Sequence, residues 1–287
     1  MLNSKEVDFY KSNGYLTVEN VYSASQIKLL SDVTDEFVEK SRLVTEENDM
    51  FSLESDHSKD NPRLTRIKTP QNFHSIYEKT VKDEKMLDII EHFIGKDIRF
   101  QGAKLNMKMP EGGRQVEWHT DWGHHPHTND DMLAVGIALD DITEENGCLM
   151  VIPGSHKWDA ISHHEDGFFV GAVDINSFDV KKAINITSNA GGISIHHVRT
   201  LHGSAPNMSD KPRRLLLLEF SATDAFPVSG IGTSWDEWNK QIFRGKPTIQ
   251  PRLEKIPVLL PKPLRGENKN IFELQSNLKK SHFSKSM

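Results

Sequence analysis

IRFQGAKLNMKM (98–109), MLAVGIAL (132–139), CLMVIPG (148–154), GISIHHV (192–198) and RLLLLEFSA (214–222) are short apolar segments separated by Gly, Pro, Asn and Asp. Segments of this length between turn residues read as strands, and their succession predicts a sandwich or barrel. Upstream the texture differs. Ser23 and Gln26 form a capping box ahead of Ile27, Leu30 and Phe37, which share one helical face. Met86, Leu87, Ile90, Phe93 and Ile94 repeat that pattern over residues 84–94, and Gly95 stops it. A short strand, YLTV (15–18), precedes the first helix, and residues 41–75 read as polar and irregular. Beyond 225, prolines at 227, 247, 251, 257, 261 and 263 predict an extended arm, packed on the barrel or on a second subunit. The expected fold class is mainly β with flanking helices. Residues 1–97 would be a helical buttress, 98–224 a β core and 225–287 the arm, all in one structural domain.

Composition narrows the function. The 287 residues, 36% hydrophobic and 26% charged, suffice for a sizeable core. A net charge of −6 with no concentrated basic stretch before the C-terminal tail argues against nucleic acid and for a small-molecule substrate. Cys148 is the single cysteine, which fits a reducing compartment, and MLNSKEVDFY lacks the apolar core of a signal peptide, so a cytoplasmic location is expected. No run approaches the length of a membrane span, and there is no repeat of solenoid length.

The chemistry centres on His119-Thr120-Asp121 and on His202, which opens HGSAPNMSDKPRR and is followed eleven residues later by Arg213. Two histidines and a carboxylate are the ligand set of a mononuclear non-heme iron site, which leaves other positions open for cosubstrate and dioxygen. On a strand, residues i and i+2 point the same way, so His119 and Asp121 are expected to grip one ion, with the remote histidine on a neighbouring strand. The triplet alone is weak, because 14 histidines and 41 acidic residues make about two His-x-acid triplets a chance expectation, and the chain has three. The other two, His163/Glu165 and His164/Asp166, lie in the polar stretch SHHEDG and read as surface loop.

The runs from WHTDW (118–122) through HPHTNDDMLAVGIALDDITEENGCLMVIPGSH (125–156) and GGISIHHVRTLHGSAPNMSDKPRRLLLLEF (191–220) resemble the phytanoyl-CoA dioxygenase family of Fe(II)/2-oxoglutarate oxygenases. The resemblance extends over about residues 5–225, with the arm outside it. It implies a double-stranded β-helix, a jelly-roll, cupin-like barrel with helices buttressing one sheet. It implies His119, Asp121 and His202 as metal ligands, with Fe(II), 2-oxoglutarate and dioxygen as cofactor and cosubstrates. Arg213, with the Ser204 hydroxyl beside it, would bind the far carboxylate of 2-oxoglutarate, for which Arg offers a fork that Lys lacks. A register slip of one would pass that role to Arg214. Lys104, Lys108 and Arg66 fall at further cosubstrate positions. The implied reaction hydroxylates an unactivated C–H bond and releases succinate and carbon dioxide. Related halogenases replace the carboxylate ligand with a small residue, so Asp121 favours hydroxylation.

Substrate residues are less legible. Trp122, His127, Asn129 and Asn106 are the candidates, with core or rim packing the equal alternative for Trp122. One of His196 and His197 reads as an internal histidine satisfied by its neighbours. Asn146, Gly147 and Gly154 read as turn punctuation, and nothing marks Ser155 as a nucleophile elbow. No basic cluster reads as a CoA phosphate site, and the terminal SKSM is not a peroxisomal signal. A small polar or anionic metabolite, such as a phosphonate or a compatible solute, is therefore favoured over an acyl-CoA. Two other classes use the same residues: a non-catalytic jelly-roll protein that binds metal or 2-oxoglutarate, and a zinc hydrolase in which the triad activates water.

Overall fold

The N-terminal part of the computed structural model, which describes residues 2–266 and 270–283, interleaves helices with strands. It runs α1 (Ser4–Asn13), β1 (Tyr15–Val18), α2 (Ala24–Ser41), β2 (Phe51–Leu53), β3 (Leu64–Lys68), α3 (Ser75–Val81) and α4 (Glu84–Ile94). Then come β4 (Ile98–Lys108), β5 (Val116–His119), the short α5 (Asp121–His124), β6 (Met132–Ala138) and β7 (Leu149–Val151). β8 (His164–Glu165), β9 (Phe168–Phe169), β10 (Ile184–Ile186), β11 (Ile193–His197), β12 (His202–Ser204) and β13 (Arg213–Ala222) follow. The arm holds α6 (Trp235–Lys240), β14 (Ile242–Arg244) and α7 (Ile271–Gln275).

Two antiparallel sheets form the jelly-roll. The larger has the order β1-β11-β6-β13-β4-β3-β2, with β14 also on β4, and the smaller has the order β10-β7-β12-β5. Period-two alternation gives the larger sheet two different faces. Leu105 and Met107, Ile193 and Ile195, and Leu216, Leu218 and Phe220 join the main apolar core with Ile27, Leu30, Phe37, Met86, Leu87 and Ile90 of the helices. The alternate residues Lys104, Asn106 and Lys108, Ser194 and His196, and Arg213, Leu215 and Leu217 line a cavity facing the smaller sheet. Leu215 and Leu217 make the strand apolar on both faces, which is why RLLLLEF shows no alternation.

Local signals behave as the sequence indicates. The Ser23/Gln26 capping box is present at α2, and Asp83 caps α4, which Gly95 ends at φ 81°. Residues 41–75 differ from the irregular reading. They contain the β2–β3 hairpin, whose register sets Arg66 opposite Asn106 and Lys68 opposite Lys104. Arg66 lines the cavity, so this strand lacks the polar-out, apolar-in pattern that would have marked it. SHHEDG is also more ordered than a surface loop. His164–Glu165 pairs with Phe168–Phe169, and His163 is buried. No helix among the described residues is long and apolar enough to cross a membrane.

The arm packs along the barrel. Arg99, fully buried on β4, sits 4.2 Å from the Trp238 ring centroid and donates to the Trp238 carbonyl. Further on, the Trp122 indole donates to Pro257 O at 3.0 Å and Phe169 N donates to Pro263 O at 2.8 Å. Leu216 lies at the centre of this fold, 0% exposed and between β4 and β6. Leu216→Ala should lower unfolding free energy by about 2–5 kcal/mol in a urea titration; a loss below about 1 kcal/mol would mean that this face is not close-packed.

Candidate active site

Each imidazole of the triad is aimed by a hydrogen bond on its far side. His119 Nδ1 lies 2.8 Å from Glu117 O and His202 Nδ1 lies 2.9 Å from Thr200 O. A carbonyl only accepts, so both Nδ1 atoms carry the proton and both Nε2 atoms present a lone pair to the cavity. Those Nε2 atoms stand 3.7 and 3.9 Å from Asp121 Oδ1, and the three donor atoms lie within 4.8 Å of one another. β12 pairs with β5, with His202 directly opposite His119, which brings the remote ligand to the pair. Asp121 arrives by a different route from the one its spacing suggests. β5 ends at His119, Thr120 caps α5, and Asp121 is the first residue of that turn of helix.

Burial, and then the neighbouring His202, hold His119 well below the usual imidazole range; burial and His196 push His202 down to about 4. Both rings are therefore neutral at neutral pH, as metal ligation requires. Burial opposes ionisation of Asp121, but His202, the His196 hydrogen bond and His119 outweigh it and hold the carboxyl well below its usual range. His196 Nε2 lies 3.2 Å from Asp121 Oδ2 and so fixes the oxygen that does not face the two ligand histidines. Two neutral nitrogen donors and one carboxylate on a shared cavity wall fit an Fe(II) ion with open positions.

A second group lies deeper. Arg213 is buried, its NH2 group donates to Gly147 O at 2.8 Å, and its Nε has no partner. Lys108 Nζ donates to Ser204 Oγ at 2.8 Å and to Ala205 O. Gly147 is more than punctuation. Its φ is 77°, and a Cβ there would come within 2.4 Å of Ala205 O and 3.0 Å of Lys108 Nζ. Burial lowers Arg213 to about 10, and burial followed by the Arg213 charge takes Lys108 well below its usual value. A bound carboxylate would relieve both. Arg214, one residue on, faces the helices and pairs with Asp140 at 2.6 Å and Asp35 at 2.8 Å. The register thus puts Arg213, and not Arg214, in the cavity.

Nearer the mouth, Lys104 pairs with Glu219 at 2.8 Å, and Arg66 Nε donates to Asn106 Oδ1 at 3.2 Å. Arg114 also lines the cavity and is paired with Glu54 at 2.7 Å. Among the described residues Arg66, Lys108 and Arg213 form no ion pair.

Three of the four substrate candidates lie elsewhere. Trp122 packs with Met132, Val198 and Ala225 under the arm. His127 is held by His125 O at 2.7 Å, and Asn129 donates to Asp224 and Arg252. None of the three lines the cavity, although α5 itself sits beside it, with the His124 ring 5.6 Å from that of His119. Asn106 alone of the four lines it. His163, read as surface, is a structural acceptor for Thr120 N at 2.9 Å. Ser155 accepts from Leu201 N, and Asn146 closes a turn through Thr143 and Asp141. The sequence reading missed His196 as the partner of Asp121, Glu219 as the partner of Lys104, and Phe272 on the cavity wall. Alternation on β11 and β13 could have found the first two; nothing local marks the third.

A family model described as phytanoyl-CoA dioxygenase (PhyH) matches residues 10–215. A probable alpha-ketoglutarate-dependent hypophosphite dioxygenase of Stutzerimonas stutzeri is 35% identical over 96% of this chain and 97% of its own. Human peroxisomal phytanoyl-CoA dioxygenase is 23% identical over 84% of this chain and 75% of its own. Among solved structures, EctD from S. alaskensis with bound Fe superposes with a TM-score of 0.68 at 20% identity, over 90% of this chain and 89% of its own. The carbocyclase SnoK gives 0.62 at 20% identity, over 86% and 93%. The likeness to these structures is one of fold.

Anaerobic titration with Fe(II) and then 2-oxoglutarate should give a visible charge-transfer band that His119→Ala and His202→Ala abolish, whereas His163→Ala should keep the band and lose stability. Arg213→Ala should weaken 2-oxoglutarate binding by about 2 kcal/mol or more, roughly 30-fold. Arg214→Ala should leave that affinity nearly unchanged, and equal losses would contradict the register.

Proposed function

Because the chain belongs to the phytanoyl-CoA dioxygenase family and is an iron- and 2-oxoglutarate-dependent dioxygenase, we propose that its substrate is a small anion, with a phosphorus oxyanion the first candidate. The observation that carries this is the charge of the cavity. Arg66, Lys108 and Arg213 line it without a carboxylate partner among the described residues, beside a metal site with one carboxylate ligand. A dicarboxylate cosubstrate does not neutralise three cations and a divalent metal held by one aspartate, and buried charge without compensation is costly. A further anion would lower that excess. The name of the S. stutzeri relative, which refers to hypophosphite, supports the same substrate class.

The residues divide by position. His119, Asp121 and His202 would hold the iron. Arg213, Lys108 and Ser204 would hold the far carboxylate of 2-oxoglutarate, where the Arg fork matches two oxygens. Arg66 and Lys104, expected from the sequence to serve the cosubstrate, stand with Asn106 nearer the mouth and would face the substrate anion. Lys104 would then share its charge between Glu219 and that anion. The bound iron and 2-oxoglutarate supply the oxidising chemistry, in which one atom of dioxygen enters succinate as carbon dioxide is lost and the other replaces a substrate hydrogen as hydroxyl. That hydrogen would sit on phosphorus or on carbon beside it. The chain itself orients the X–H bond through the anion, excludes water with Leu149, Leu215 and Leu217, and keeps the Asp121 carboxylate in place through His196. The lone, buried Cys148 supports placing the enzyme in the reducing cytoplasm.

Succinate release under air should require Fe(II) and be stimulated by hypophosphite or a short alkylphosphonate, and not by a zwitterionic solute or an acyl-CoA. Arg66→Ala should raise KM for the anion by about tenfold or more, with 2-oxoglutarate affinity held. Loss of 2-oxoglutarate affinity instead would return Arg66 to the cosubstrate. Stimulation by acyl-CoA alone would overturn the small-anion reading.

A further inference from the structure

We propose that the C-terminal segment is the roof of the reaction cavity and that Phe272 sets the largest substrate the enzyme admits; this rests on the reading of the site as one for a small anion. Ile271 and Phe272, both on α7, are the cavity-lining residues that come from the arm, all the others belonging to the barrel strands or the turns between them. The Phe272 ring stands 5.7 Å from the Arg66 guanidinium carbon and 5.9 Å from that of Arg114, bridging the two cations at the mouth. An aromatic face is attracted to such cations, most strongly where water is excluded. The ring therefore covers the guanidinium that the substrate anion needs, and it closes the way out for any group attached to that anion.

The roof is fastened to the strand that carries the metal ligand. β5 is an edge strand of the smaller sheet. The Gln275 side chain covers that edge as a strand would, its Oε1 accepting from Glu117 N at 3.0 Å and its Nε2 donating to Gly171 O at 3.0 Å. The Glu117 carboxylate accepts from His282 N at 3.0 Å and from the Ser281 hydroxyl. Phe283 stacks on Trp118 with centroids 6.2 Å apart. Glu117 and Trp118 directly precede His119, so the arm is anchored beside the iron ligand. A compact ion fits beneath Phe272 against Arg66 and Asn106. A substrate with a long substituent would have to displace the ring and break its contacts with both guanidinium groups.

The test uses the full chain with Phe272→Ala, Phe272→Leu and Gln275→Ala. Succinate release is compared for hypophosphite, methylphosphonate and phenylphosphonate, together with anaerobic 2-oxoglutarate affinity and the rate at which ferrozine strips the bound Fe(II). Phe272→Ala should gain on the bulkier anions relative to the smallest by about tenfold or more. It should also release iron to the chelator faster at unchanged 2-oxoglutarate affinity, with Phe272→Leu between it and wild type. Gln275→Ala should also speed chelation, since it loosens the roof without altering the lining. Wild-type size ranking and wild-type chelation rates in Phe272→Ala would overturn the proposal, as would loss of 2-oxoglutarate binding, which would place the ring in the cosubstrate site. If the wild type turns over no phosphorus anion, the substrate reading fails and the chelation rates still decide the roof.

Discussion

Uncompensated positive charge inside the barrel is the constraint that orders the site. Arg213 and Lys108 are almost fully buried and Arg66 lies against Phe272, and among the described residues none of them forms an ion pair. Isolated buried charges are tolerated where a ligand completes them. The depressed basicity of Lys108 and Arg213 follows from the same burial. The neighbouring cations, Lys104, Arg114 and Arg214, all carry carboxylate partners, which sets Arg66, Lys108 and Arg213 apart. Their positions separate a deep subsite beside Ser204 from a shallow one beside Asn106, with the metal triad lining the same cavity.

The strands that make the core also make the site. In the stretches 104–108 of β4, 193–196 of β11 and 213–218 of β13, side chains alternate between the core beneath the helices and the cavity. A single register therefore sets both the core and the cavity lining, and a one-residue slip would turn Arg214 into the cavity while Arg213 met the helices. The smaller sheet contributes less chain and more precision. Its pairing of His202 with His119, and the two bonds from Nδ1 atoms to carbonyls, aim the nitrogens before any ion arrives.

How much of this could be read from the sequence follows from how local each signal is. The capping box at Ser23 and the stop at Gly95 are local and were legible, as was the helix-then-strand order. The choice of His119, Asp121 and His202 over His163/Glu165 needed the family pattern, because triplets of this composition arise by chance. The grouping of Asp121 with the two histidines agrees with the reading, but its geometry does not, since the strand ends at His119, two residues short of Asp121. Trp122, His127 and Asn129 misled because adjacency to the triplet in sequence does not put them on the cavity wall. The strand at Leu64–Lys68 carries no clear apolar alternation, because its cavity-lining residues are Thr65 and Arg66. Phe272, 151 positions beyond Asp121 in the chain, lies on an arm that Gln275, His282 and Phe283 fasten to Glu117, Gly171 and Trp118, contacts that no sequence pattern encodes.

Whether the iron cavity takes a small anion beside 2-oxoglutarate can be measured without turnover. The protein loaded anaerobically with Fe(II) and 2-oxoglutarate is titrated with hypophosphite while the visible charge-transfer band is followed. A saturable shift of that band is expected, one that Arg66→Ala weakens and that chloride at the same ionic strength does not reproduce. A band indifferent to hypophosphite and to alkylphosphonates, but shifted by a neutral or zwitterionic metabolite, would contradict it.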